Sequence, residues 1–275
     1  MTFMVAQRSR CLAVDLDGTL LHPEPAEIAI PGLSGIQYMS RRSADMLGKI
    51  AKRLPVIIAT GRNARSVGRV LDHLNGISFQ GFVMENGLLT RPQLIPRGGP
   101  SDSISPASPP TAPTRKDPWE PICRRLPQWR RLHDYEHCLG LVFPESETFP
   151  RAALETALAE AGVTGHIRCE TRKLFVYPTP PSKRVGIRAF NVEPFIVLGD
   201  EWNDIDLLKA SPHPGTLASA HPDVLRTVRS KKGYCSRWSS HAGTEDLLRW
   251  AADIARSAPE FQTIDVNPIK RRFIP

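Results

Sequence analysis

Asp15-Leu16-Asp17-Gly18-Thr19-Leu20 decides the reading of this 275-residue sequence. It directly follows a short apolar run, Cys11-Leu12-Ala13-Val14, whose composition fits a buried strand of a parallel sheet. Two carboxylates, two residues apart, stand where that strand runs out into a glycine-containing turn. Positions two apart on a strand face alike, so both acids can be presented at one sheet edge. Taken alone, the pattern fits a polar turn that ends a strand equally well. The remainder of the chain decides between the two.

Three further segments bear on that choice. Ala59-Thr60-Gly61-Arg62 follows the apolar run Val56-Ile57-Ile58. Lys183 opens a short helical segment after Pro180-Pro181-Ser182. Gly199-Asp200-Glu201-Trp202-Asn203-Asp204 follows Phe195-Ile196-Val197-Leu198. The aspartate and threonine motifs each fall at the C-terminal end of an expected strand, which is where open α/β sheets bind ligands. In this order the four segments resemble the signatures of the haloacid dehalogenase superfamily of phosphohydrolases.

Bulk properties narrow the class. The chain is long enough for one large domain or two modest ones. No apolar run approaches the ~20 residues that span a bilayer. Residues 1–10 lack the apolar core of a secretory signal, so a cytoplasmic address is expected. The five cysteines are scattered and never form C-x-x-C, against both a disulfide framework and a cysteine zinc site. His133, His137 and Cys138 do not organise into a zinc set either. The net charge of +8 raises the question of a polyanion partner. Lysines and arginines are nevertheless dispersed, without the aromatic interleaving of a nucleic-acid surface. The charge is read as attraction for phosphorylated small molecules.

The order of elements predicts an α/β fold: a Rossmann-like parallel sheet with helices on both faces. Residues 21–38, rich in proline and glycine, suggest a hairpin flap beside Asp15. Helices are expected over residues 43–54, with Ser43 as N-cap, and over 64–74. Gly81-Phe82-Val83-Met84 reads as a strand ending in Glu85-Asn86-Gly87. Residues 91–117, dense in Pro, Ser and Thr, read as a loop or linker. A different texture follows: residues 117–132 helical but interrupted by Pro127, a strand at 139–143, a helix at 151–161, and two strands at 166–170 and 173–177. That is a small α+β module. Helices at 183–190, 203–210 and 243–255 complete the chain, with a strand at 216–220 and a helix begun by Pro222. The tail from residue 259 has no clear period.

The module lies between the second and third motifs, the position of the larger lid in the resembled superfamily. The whole is similar to its class IIB branch, which includes phosphatases of sucrose phosphate and trehalose phosphate. The implied organisation is a core of residues 1–87 and 179–275 with a cap of residues 88–178. The implied activity is Mg²⁺-dependent hydrolysis of a small sugar phosphate. By that resemblance Asp15 is the nucleophile and Asp17 the general acid and base. Asp15, the carbonyl of Asp17 and Asp200 hold Mg²⁺, with Asn203 and Asp204 supporting it, and Glu201 either facing the site or solvent. Thr60, Gly61 and Lys183 bind phosphate. Arg62 either reaches the site or forms a salt bridge at its helix start. Asn86, Arg172 and Lys173 are candidate substrate contacts. Trp119, Trp129, Tyr135 and Phe143 either stack on a sugar or fill the cap's core. Two other readings are a phosphomutase on the same fold and a non-catalytic module that binds nucleic acid.

Overall fold

The apolar segment before Asp15 is the strand β1 (Ser9–Val14), and the main sheet is assembled around it. The computed structural model describes residues 9–32, 35–92, 117–144, 151–170 and 173–257. After β1 come β2 (Ile28–Gly32), β3 (Gly35–Met39), α1 (Arg41–Ala51), β4 (Val56–Ala59), α2 (Ala64–Leu71), β5 (Gly81–Met84) and β6 (Leu89–Arg91). Then follow α3 (Glu120–Arg125), β7 (Arg130–Leu132), β8 (Leu139–Val142), α4 (Arg151–Glu160), β9 (His166–Glu170) and β10 (Lys173–Tyr177). The last elements are α5 (Lys183–Arg188), β11 (Val192–Leu198), α6 (Ile205–Ala210), β12 (His213–Thr216), α7 (Pro222–Ser230), β13 (Tyr234–Cys235) and α8 (Ser240–Ser257).

The large sheet runs β13-β12-β11-β1-β4-β5-β6, and only the β5–β6 pair is antiparallel. Alternation along β1 explains the two-sided core. Leu12 and Val14 join a cluster with α1, α2 and α8, while Cys11 and Ala13 join one with α5, α6 and α7. Helices therefore cover both faces, as the sequence implied. Because β1 lies between β11 and β4, the carboxyl ends of these three strands open a crevice where the strand order reverses.

A separate antiparallel sheet, β7-β8-β10-β9, is backed by α3 and α4. Trp119, Trp129 and Phe143 are buried in the core beneath it, which settles their role as packing. The expected flap is the β2–β3 hairpin. The expected loop at 91–117 and the tail from residue 259 lie mostly or wholly outside the described residues.

Several boundaries differ from expectation. Ser40, not Ser43, caps α1: it is extended and its hydroxyl accepts from Ser43 N at 3.1 Å. The helix expected through residue 132 stops at Arg125. Leu126 is pushed out of helical geometry before Pro127, and Arg130–Leu132 pairs with β8 instead. The last inner strand lies at His213–Thr216, upstream of the expected 216–220, because Ile196 to Leu198 of β11 register with His213 to Gly215. Pro214 lies inside that strand. Strand β6 was not anticipated. It folds back after Glu85-Asn86-Gly87, all three at positive φ.

His22 ties the base of the flap to α8. Its Nε2 donates to Thr244 Oγ1 at 2.7 Å, and that hydroxyl donates to the carbonyl of Thr19 at 2.6 Å. Burial, reinforced by His241, lowers the imidazole from its ordinary value to about 4. The unfolded chain therefore binds the extra proton between about pH 6.5 and 4, and stability falls as pH falls through that window. Denaturant titrations should show a loss on the order of 2 kcal/mol from pH 7 to 4 that His22→Gln removes.

Candidate active site

Four elements bring the motif residues to one place. Asp15 follows β1, its amide bonded to Leu198 O at 3.0 Å, and Thr60 follows β4, its amide bonded to Val83 O at 2.8 Å. Asp200 follows β11. Lys183 is the first residue of α5, whose N-cap Ser182 accepts from Val185 N at 3.2 Å. Gly18 permits a close approach: its φ is +76°, and a Cβ there would lie 2.1 Å from Asp200 Oδ2.

Lys183 is fully buried, with Nζ 3.0 Å from Asp15 Oδ1 and 2.7 Å from Asp204 Oδ1. The Asp15 contact is an ion pair without hydrogen-bond alignment, so Asp15 Oδ1 is buried without a hydrogen-bond partner. Asp204 Oδ2 accepts from the amides of Asp200 at 3.2 Å and Glu201 at 3.1 Å. Thr19 donates to Asp200 Oδ1 at 2.7 Å. One oxygen from each of Asp15, Asp200 and Asp204 lies within 4.8 Å of the others.

Burial raises the Asp15 carboxyl well above the carboxylate range; Lys183 opposes this, while Asp204, Asp200 and Asp17 add to it. Burial, then repulsion from Asp204, brings Asp200 up to about 7. Burial alone would lower the Lys183 ammonium, but Asp15 and Asp204 more than reverse that and hold it charged. Three carboxylates thus face one ammonium. The surplus of negative charge among these clustered carboxylates fits a hard cation with oxygen ligands. Asp204, with both oxygens engaged, positions Lys183 and the Asp200 turn.

Asp17 points elsewhere. Its carboxylate, 51% exposed, accepts from Arg62 Nε at 2.7 Å and Nη2 at 2.6 Å. Arg62 therefore makes its salt bridge, but to Asp17 and at the site. Asn203 Nδ2 donates to Asn86 Oδ1 at 3.0 Å, and Asn86 Nδ2 donates to Tyr177 OH at 2.8 Å. Glu85 was not anticipated. Buried beside Asn86, its carboxylate accepts from the amides of Glu136 at 2.7 Å and His137 at 2.8 Å. Only the odd Glu85-Asn86-Gly87 turn hinted at it.

Above these residues opens a cavity of about 530 Å³. Asp15, Asp17, Thr60 and Gly61 line one side, while Lys173 and Phe175 of β10 line another. Tyr135 also faces it, unlike the other aromatic candidates. Trp202, which was not singled out, borders it under the guanidinium of Arg168, 4.0 Å from the ring centroid. Arg172 lies outside the described residues. His133, His137 and Cys138 take no part in the carboxylate cluster.

Removing the buried ammonium leaves these carboxylates uncompensated. Lys183→Met should cost about 3 kcal/mol at pH 7.5. The cost should shrink at pH 5.5, where a carboxyl protonates instead; urea denaturation at the two pH values reads both.

Residues 12–94 match the family model of the haloacid dehalogenase-like hydrolases. No curated protein matches the sequence. Among solved structures, the chain is similar to a haloacid dehalogenase-like hydrolase from Bacteroides thetaiotaomicron, with 13% identity, TM-score 0.59, and coverage of 89% of this chain and 100% of that one. It is similar to the sucrose-phosphatase of Synechocystis, solved with sucrose and phosphate, with 15% identity, TM-score 0.57, and coverage of 91% and 99%. A subclass IIB sugar phosphatase aligns at 15% identity and TM-score 0.55 over 88% and 99%. Motifs, fold and family match agree: residues 12–94 match the haloacid dehalogenase-like hydrolases, and the chain as a whole has the fold of the subclass IIB structures it is similar to.

Proposed function

We propose that the protein is a Mg²⁺-dependent phosphatase of a small phosphorylated metabolite, a sugar phosphate monoester being the class that best suits it. The observation that carries this reading is the convergence of Asp15, Lys183, Asp200 and Asp204, with Asp15 also lining the cavity. Its volume suits a ligand of hexose phosphate size, and the sugar-phosphatase names of structural neighbours point the same way. Residues 88–178 act as a cap over a core of residues 1–87 and 179–275, with Glu85 and Asn86 joining the two.

In this mechanism an Asp15 carboxylate oxygen attacks phosphorus, the bond to the sugar oxygen breaks, and an aspartyl-phosphate forms on Asp15. Thr60 and Gly61 hold the transferring oxygens, and Lys183 offsets their charge. Asp17 gives a proton to the leaving oxygen, then takes one from the water that hydrolyses the intermediate. Both Asp17 oxygens accept from Arg62, so Arg62 must part from Asp17 before the proton is carried. Mg²⁺, held by Asp15, Asp200 and the Asp17 carbonyl, would supply charge that relieves the repulsion between Asp15 and phosphate.

Asp15→Asn should lower inorganic phosphate release from hexose phosphates by at least about 10³-fold, with an unchanged circular dichroism spectrum. Retained turnover would remove the mechanism, and phosphate returned to the sugar without release would indicate a mutase. Saturating Mg²⁺ should raise Tm by about 5 °C at pH 7.5. The rise should be smaller at pH 5.5, where Asp200, brought up to about 7, keeps its proton. Asp200→Asn should lose most of it.

A further inference from the structure

Strands β7, β8 and β10 align Arg130, Val142 and Lys173 on one rung, since Arg130 and Lys173 both pair with Val142. Cross-strand partners share a face, and two strand spacings separate the outer pair by roughly 10 Å at the backbone. Arg130 and Lys173 both line the cavity. Neither has a carboxylate partner among the described residues. The other described arginines between residues 88 and 178, Arg168 apart, each have one; Arg131 has Asp117 and Arg91 has Glu136. Arg168 stacks on Trp202 instead.

The acids that line the cavity each have another partner. Asp15 lies against Lys183, Asp17 against Arg62, and Glu201 caps the turn that holds Asp204. The two cations of this rung are thus left without an acid partner among the described residues, on the wall formed by the second sheet. Arg and Lys donors that line a ligand cavity without an acid partner are available to the oxygens of an anionic ligand group.

We infer that Arg130 and Lys173 bind a second anionic group carried by the substrate, so that the preferred ester has a carboxylate or a second phosphate on its leaving portion. This rests on the phosphatase reading for the location of the reacting phosphate. A carboxylate and a phosphate present the same oxygen chemistry to the pair, and separate ligands distinguish them.

The test is calorimetric binding to the Asp15→Asn protein in Mg²⁺, with glucose 6-phosphate, 6-phosphogluconate and glucose 1,6-bisphosphate. At least one of the two doubly anionic ligands should bind at least tenfold tighter than glucose 6-phosphate, and which one identifies the second anion. Adding Arg130→Met and Lys173→Met should bring that ratio to within about twofold. Equal binding of all three ligands, or an unchanged ratio in the triple variant, would overturn the inference. Phosphate release by the wild-type protein from the same three esters is read in parallel. Absence of release from every ester overturns the phosphatase reading, whereas the binding ratio still decides the second-anion site.

Discussion

Lys183 carries its ammonium into a site with no solvent exposure, 3.0 Å from Asp15 Oδ1 and 2.7 Å from Asp204 Oδ1. Burying a charge is costly unless it is matched, and here acids from two other segments match it. The end of β1, the start of α5 and the turn after β11 are therefore fastened together electrostatically. Asp204 extends the fastening by accepting two backbone amides of its own turn. The match is incomplete, since Asp200 and Asp15 keep raised proton affinities. That imbalance is a property useful to a reactive site and unfavourable to a purely structural one.

A second set of contacts joins the antiparallel sheet and its loops to the main sheet. The buried Glu85 carboxylate accepts two amides from the loop before β8, and Asn86 links Asn203 to Tyr177. Both start from a turn at positive φ, a conformation that costs free energy unless the surroundings hold it. The surroundings do so here with hydrogen bonds from both sides of the cavity. The same turn sends the chain back as β6, closing the edge of the main sheet.

The strand-end motifs were legible because their signal is local: an apolar run, then an acid or a threonine at a turn. Pairing Lys183 with Asp15 from sequence rested on the family resemblance, since no spacing rule links positions so far apart. The aromatic residues divided as burial dictates, with Trp119, Trp129 and Phe143 in the core and Tyr135 at the cavity. Strand β12 lies upstream of the expected 216–220 because its position is fixed by register with β11, which no local period reveals.

The sequence by itself determined an α/β chain with helices on both sheet faces, and which strand ends carry acids, because hydrophobic period and turn chemistry act between near neighbours. Tertiary structure alone decided that Asp17 turns to Arg62, that Asn203 meets Asn86, and that Arg130 stands on one rung with Lys173. Those outcomes depend on distance and on competition for hydrogen bonds between segments remote in the chain. Such competition is resolved only once the sheets are in place.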